Sequence, residues 1–269
     1  MTANASARIV GGSEIDESKY PWDVAVVNMK DDIREIECGG ALLSNKYVLT
    51  AAHCEPITEN HRVMIGRISR NDINNDDFLK KIIIPPTKHP QFETFKDVTM
   101  EFDIYDFMML ELEQELALCK SHFAKLPAES FDYNILDGVR LELSGWGSVL
   151  QRTRKQVLES YPIMGSKRPP TFFYKKLRAL SYPLLPSSIC KNRYSSMFKA
   201  HETTEGSKKT KVKDIDFTKE SGSSMLCASS CSNEDLTQCE HRHSIGSCQG
   251  DSGCMYEIEI SIYIYIYIY

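Results

Sequence analysis

The chain has 269 residues, enough for one large all-β domain or two small ones. A hydrophobic fraction of 42% supplies a globular core, and 32 basic against 37 acidic residues leave a net charge of −5. Without a long basic run, nucleic acid and anionic membranes are not expected partners.

The nine cysteines form no C-x-x-C pair, which points to an oxidising compartment. Their odd number leaves at least one thiol without an internal partner. Residues 1–7 are polar and too short for the apolar part of a signal peptide, although Asn4-Ala5-Ser6 matches a glycosylation acceptor. Arg8-Ile9-Val10-Gly11-Gly12 reads as a basic residue ahead of a strand start. Tyr20 to Val27 alternates well enough for a first strand, and the charged residues 28–37 read as a hairpin loop. Cys38–Leu43 and Lys46–Ala52 are the next two strands, with Ser44-Asn45 as their turn and His53 at the end of the second. Arg62–Gly66 and Lys80–Ile84 continue the pattern. His61, His89 and His122 sit in no motif and are expected at the surface. Asp106 opens the alternating run Phe107-Met108-Met109-Leu110-Glu111-Leu112, with Asp103 close ahead of it.

Leu126-Pro127 suits a linker, and Leu141–Gly147 a further strand. Residues 149–174 are long and basic. Leu177–Leu185 reads as a strand, followed by the turn Pro186-Ser187-Ser188 and a short helix from Ile189. Residues 199–223 are rich in Lys, Glu, Thr, Ser and Gly, the composition of a solvated insertion.

Cys248-Gln249-Gly250-Asp251-Ser252-Gly253 is the stretch with the most chemistry. A serine hydroxyl is a poor nucleophile unless a base takes its proton and dipoles hold the resulting oxyanion. Glycines at 250 and 253 permit a tight bend in which the Gly250 and Ser252 N–H groups point at one spot. By itself the hexapeptide reads as an ordinary Gly-Asp-Ser-Gly surface turn. A base and an orienting acid are available upstream in His53 and Asp106, and His, Asp, Ser is one of the three chain orders of a serine triad. Cys227, Cys231, Cys239, His241, His243 and Cys248 offer zinc-ligand types, but their spacings match no common zinc pattern, so no metal is expected.

With these motifs and Ile9-Val10-Gly11-Gly12 near the start, the chain resembles the chymotrypsin/trypsin-like serine protease family over residues 9 to 253. The resemblance implies two six-stranded antiparallel Greek-key barrels, here with the second incomplete. The first would span about 20–125 and the second about 126–253, behind a propeptide remnant at 1–8. It implies a serine endopeptidase with the catalytic residues His53, Asp106 and Ser252 and an oxyanion hole of Gly250 and Ser252. Asp106 is preferred to Asp103 because the apolar run follows it directly. Cleavage after Arg8 would free the Ile9 amine to pair with Asp251. Cys38–Cys54 and Cys190–Cys227 correspond to family disulfides, which leaves Cys119, Cys231, Cys239, Cys248 and Cys254 unassigned. Gly246, with Ser247 beside it, falls at the pocket base, where glycine favours a small or apolar side chain; an alignment shift would place Glu240 or Asp235 there instead. The family implies an extracellular location, protein or peptide substrates, protease inhibitors as partners, and no cofactor.

The resemblance weakens after Gly253, where the family continues Gly-Pro and this chain has Cys254-Met255-Tyr256. The family's Ser-Trp-Gly strand, pocket wall and last strands have no counterpart in residues 254–269. This low-complexity tail ends in alternating Ile and Tyr, which a TA repeat read in frame encodes. An overrun gene model is therefore expected, with a truncated paralogue as the alternative. As an edge strand, such a sequence is an aggregation hazard. The functional alternatives are an inactive homologue that acts by binding, and a misassembled product.

Overall fold

The computed structural model describes residues 13–15, 19–29, 34–66, 69–96, 101–126, 139–146, 177–184, 186, 188–189, 256–258 and 262–264. These residues are organised by β-sheets, with short 3-10 turns between strands.

The larger sheet takes β2 (Asp23–Asn28), β3 (Glu35–Leu42), β4 (Tyr47–Thr50), β5 (His61–Ile65), β6 (Leu79–Lys81), β7 (Thr87–Lys88) and β10 (Met108–Glu111). Its order is β6-β5-β2-β3-β4-β10-β7, antiparallel throughout. The sheet curls until its ends meet. Ile82 forms an antiparallel bridge with Leu112, and the Ile83 N–H donates to the Glu111 carbonyl at 2.7 Å. Closing a sheet removes exposed edges, which otherwise invite pairing with other chains.

The sequence pattern of β2 explains how the barrel meets its neighbour. Val24 and Val26 point into the barrel with Leu42, Val48, Val63, Ile65, Met108, Leu110 and Leu112. Ala25 and Val27 point the other way and pack with Met64, Ile73, Trp146 and Leu177. A strand covered on both faces needs an unbroken apolar run, and Val24-Ala25-Val26-Val27 is one.

The second sheet has the order β1-β12-β11-β13-β14, with β1 (Ser13–Glu14), β11 (Arg140–Gly145), β12 (Arg178–Pro183), β13 (Tyr256–Ile258) and β14 (Ile262–Ile264). β13 and β14 come from the 254–269 stretch set apart above on composition. β13 pairs in register with β11, Leu143 opposite Tyr256 and Leu141 opposite Ile258. β14 is the outer strand, so the Ile-Tyr sequence does occupy a sheet edge. A separate hairpin joins β8 (Glu93–Lys96) to β9 (Glu101–Ile104).

Two expectations are corrected. β3 begins at Glu35, so the loop after β2 is shorter than residues 28–37. His61 is buried, at 4% exposure, rather than at the surface. Its Nδ1 accepts from the Thr58 N–H at 3.0 Å, so the ring proton sits on Nε2, which donates to Glu37 Oε2 at 3.0 Å. The β2–β3 register shifts between Val26 and Val27, so that Cys38 and Ile36 are the paired residues and Glu37 is the extra one.

Candidate active site

His53 sits in the 3-10 turn Ala52–Cys54 that ends β4. Three constraints hold this turn. Ala51 and Ala52 are buried, at 1% and 0% exposure. Thr50 donates its hydroxyl proton to the Gly39 carbonyl at 2.7 Å. A Cys38–Cys54 disulfide with a Cα–Cα distance of 6.3 Å ties the turn to β3. Burying Ala52 and Cys54 leaves the residue between them, His53, facing outward with its side chain 30% exposed.

The partner acid comes from the neighbouring strand, since β10 pairs with β4 and Met108 stands opposite Thr50. β9 ends at Ile104, and Tyr105 adopts φ 50, a left-handed conformation that costs a residue with a Cβ about 1–2 kcal/mol. The Phe107 N–H donates back to the Tyr105 carbonyl at 2.7 Å, and the Tyr105 ring stacks on His89 with centroids 5.0 Å apart. The chain bends there and delivers Asp106 beneath the histidine before β10 begins.

Asp106 is buried, with 2% of its side chain exposed. Its Oδ2 lies 2.7 Å from His53 Nδ1, and its Oδ1 accepts the His53 backbone N–H at 2.7 Å. A buried carboxylate needs such partners, because leaving it unpaired is costly. With Nδ1–H donating to Asp106, the proton-free nitrogen of a neutral ring is Nε2, available to accept a proton from a nucleophile. Asp103, the acid not preferred above, is also here: its Oδ2 is 3.8 Å from His53 Nδ1, and its side chain is 9% exposed.

The ligand-type atoms of His53, Asp103 and Asp106 lie within 4.8 Å of one another. Two ligands of one tetrahedral zinc stand roughly 3.3 Å apart when its bonds are ~2.0–2.1 Å. The 2.7 Å contact from His53 to Asp106 is shorter than that and is a hydrogen bond.

The remaining site residues named from sequence lie outside the described residues: Ser252, Gly250, Asp251, Gly246, Ser247, Arg8, Ile9, Cys190 and Cys227. The cysteine and histidine group from Cys227 to Cys248 lies outside them too. Cys119 is described, exposed and not disulfide-bonded. What sequence reasoning passed over is that both aspartates reach one ring. The cue was the three-residue spacing from Asp103 to Asp106, which a single left-handed residue folds into a shared corner.

Fold and site together define a class, all-β barrel proteins in which a buried carboxylate orients a part-exposed imidazole. The trypsin family model matches residues 9–232, and the chain belongs to this family of serine proteases. It is 33% identical to Trypsin 5G1 of Aedes aegypti over 146 residues, covering 54% of this chain and 49% of the relative. It is 29% identical to glandular kallikrein of Sus scrofa over 155 residues, 53% of this chain and 56% of that one. A shorter match, 41% over 64 residues and 24% of each chain, is to chymotrypsin-C of Mus musculus. The chain spans about half the length of the first two relatives.

Proposed function

We propose that the chain is a serine endopeptidase in which Ser252 is the nucleophile, His53 the general base and Asp106 the orienting acid. The observation that carries this reading is the 2.7 Å contact between Asp106 Oδ2 and His53 Nδ1 on a part-exposed ring. Ser252 attacks the peptide carbonyl carbon as His53 Nε2 takes its proton. The tetrahedral oxyanion is held by the Gly250 and Ser252 N–H groups. His53 then gives the proton to the departing amine, and water repeats the sequence on the acyl-enzyme. Asp106 stays ionised and stabilises the imidazolium. This is the established triad chemistry of the family, here assigned to this chain's residues.

Cleavage after Arg8 frees the Ile9 amine to pair with Asp251 and set the oxyanion hole. Gly246 and Ser247 at the pocket base favour small or apolar side chains. Protein substrates, protease inhibitors and an extracellular setting follow from the family, whose relatives here include a trypsin and a kallikrein.

A second reading, an inactive homologue that acts by binding, is favoured by one fact: the family match stops at residue 232, before Ser252. Labelling with a serine-reactive fluorophosphonate decides between them, using a chain that begins at Ile9. The endopeptidase reading expects labelling and peptide-ester turnover that both vanish in Ser252→Ala and His53→Ala. Equal labelling of the parent chain and Ser252→Ala removes the nucleophile assignment.

A further inference from the structure

We propose that Asp103 is a second acid for His53, a positioning residue that stabilises the imidazolium alongside Asp106. The inference deepens the reading of His53 as general base and rests on it for its functional meaning.

The two carboxylates approach the ring differently. Asp106 makes hydrogen bonds at 2.7 Å to both Nδ1 and the backbone N–H of His53. Asp103 Oδ2, 3.8 Å from Nδ1, is too far for a hydrogen bond and acts through its charge. Both side chains are largely removed from water, 9% and 2% exposed, so solvent screens them poorly. Their arrangement is fixed by backbone. Asp103 is held in the β8–β9 ladder opposite Thr94, and the left-handed Tyr105 turns the chain so that Asp106 follows on the same side of the histidine.

The surrounding elements carry other titratable groups. Glu55, two residues after His53, is ion-paired to Lys88 of β7 at 2.7 Å. His89 stacks on Tyr105, Glu93 stands opposite Ile104 in the hairpin, and Cys38 and Cys54 are joined and do not titrate. Among the described residues, the Asp103 and Asp106 carboxylates lie 3.8 and 2.7 Å from the His53 ring Nδ1.

The consequence is directional. An opposite charge within about 4–6 Å favours the protonated imidazole and raises its titration midpoint by about 1–3 pH units. General-base activity, which needs the neutral ring, then begins at higher pH than with Asp106 alone.

The test is an NMR titration of the full-length chain with 15N-labelled histidine, the His53 signal being identified by its loss in His53→Gln. The parent midpoint is expected above the ordinary imidazole value of ~6.5. Asp103→Asn should lower it by about one unit, and Asp103→Glu should restore it. A folded Asp103→Asn chain with an unchanged or higher midpoint overturns the proposal. Should Asp103→Asn fail to fold, Asp106→Asn serves instead: a His53 midpoint still above ~6.5 supports Asp103, and one at or below it refutes Asp103. This readout needs no turnover. A chain that titrates as expected but takes no fluorophosphonate loses the endopeptidase reading and keeps this one; the reverse pattern does the opposite.

Discussion

Asp106 grips His53 at both ends, one carboxylate oxygen on the ring Nδ1 and the other on the backbone N–H, each at 2.7 Å. The ring cannot swing out without losing one bond, and the turn cannot shift without losing the other. Asp106→Asn keeps the shape but replaces one acceptor with a donor, which favours the wrong tautomer. Turnover should fall on the order of 10⁴-fold, the size known for this change in the serine triad. A drop of less than tenfold in kcat/KM would show that Asp106 does not orient the base.

Gly40 on β3 lies close against β4. A Cβ there would meet the Leu49 carbonyl oxygen at 2.9 Å, Val24 Cγ2 at 3.1 Å and Val48 Cγ1 at 3.2 Å. The nearest of these atoms is backbone in the strand leading to His53, so it cannot yield as a side chain would. Gly40→Ala should cost about 1–3 kcal/mol. Urea unfolding reads this directly, and an unchanged midpoint would contradict the packing.

The Cys38–Cys54 bridge spans a sequence separation of 16. Replacing both residues with serine should lower unfolding stability by ~3 kcal/mol, the chain-entropy value for a loop of this length. It should also reduce turnover more than stability alone explains, because the turn holding His53 loses its anchor. A double variant that unfolds within about 1 kcal/mol of the parent would mean that packing of Ala51 and Ala52 fixes the turn unaided.

Glu142 on β11 ties the second sheet to the segment ahead of β2, taking hydrogen bonds from Lys19, at 2.6 Å, and from the Tyr20 hydroxyl. Burial resists its ionisation, but the Lys19 and Tyr20 hydrogen bonds and the Lys19 charge outweigh this and hold its carboxyl below the ordinary 4.5. A lowered native value means the contribution is present above the unfolded value and fades as pH falls through the native one. Lys19 is 46% exposed and Glu142 33%, so solvent screening limits the effect to less than about 1 kcal/mol. Glu142→Gln should therefore be less stable than the parent near neutrality, with the gap closing below about pH 4. Urea midpoints measured across that range test it; a gap that widens in acid would reverse the assignment.

The sequence made the first barrel legible because its strands stand out as apolar runs between polar segments. β2, β4 and β10 fall close to the segments read from Tyr20–Val27, Lys46–Ala52 and the run after Asp106. His53 and Asp106 stand 53 positions apart, and no local pattern connects them; the fold brings them to 2.7 Å. The burial of His61 escapes the sequence for a related reason. Its acceptor Glu37 sits at a register irregularity in β3, and alternation rules do not anticipate an extra residue. The approach of Asp103 to the same ring, at 3.8 Å, is set by the corner between β9 and β10. The turn at Tyr105 depends on a conformation that tyrosine seldom adopts, and composition gives no sign of it. In the stretch after Gly253, Tyr256–Ile258 pairs with β11, because backbone pairing is indifferent to repetitive composition.

Trp146 lies wholly enclosed between β2 of one sheet and Leu177 beside β12 of the other. The chain has two tryptophans, and the second, Trp22, packs against the first barrel's interior cluster. Replacing Trp22 with phenylalanine would leave a single indole emitter lodged at the seam. Its emission colour would then report when water enters between the halves, separately from the melting of either one.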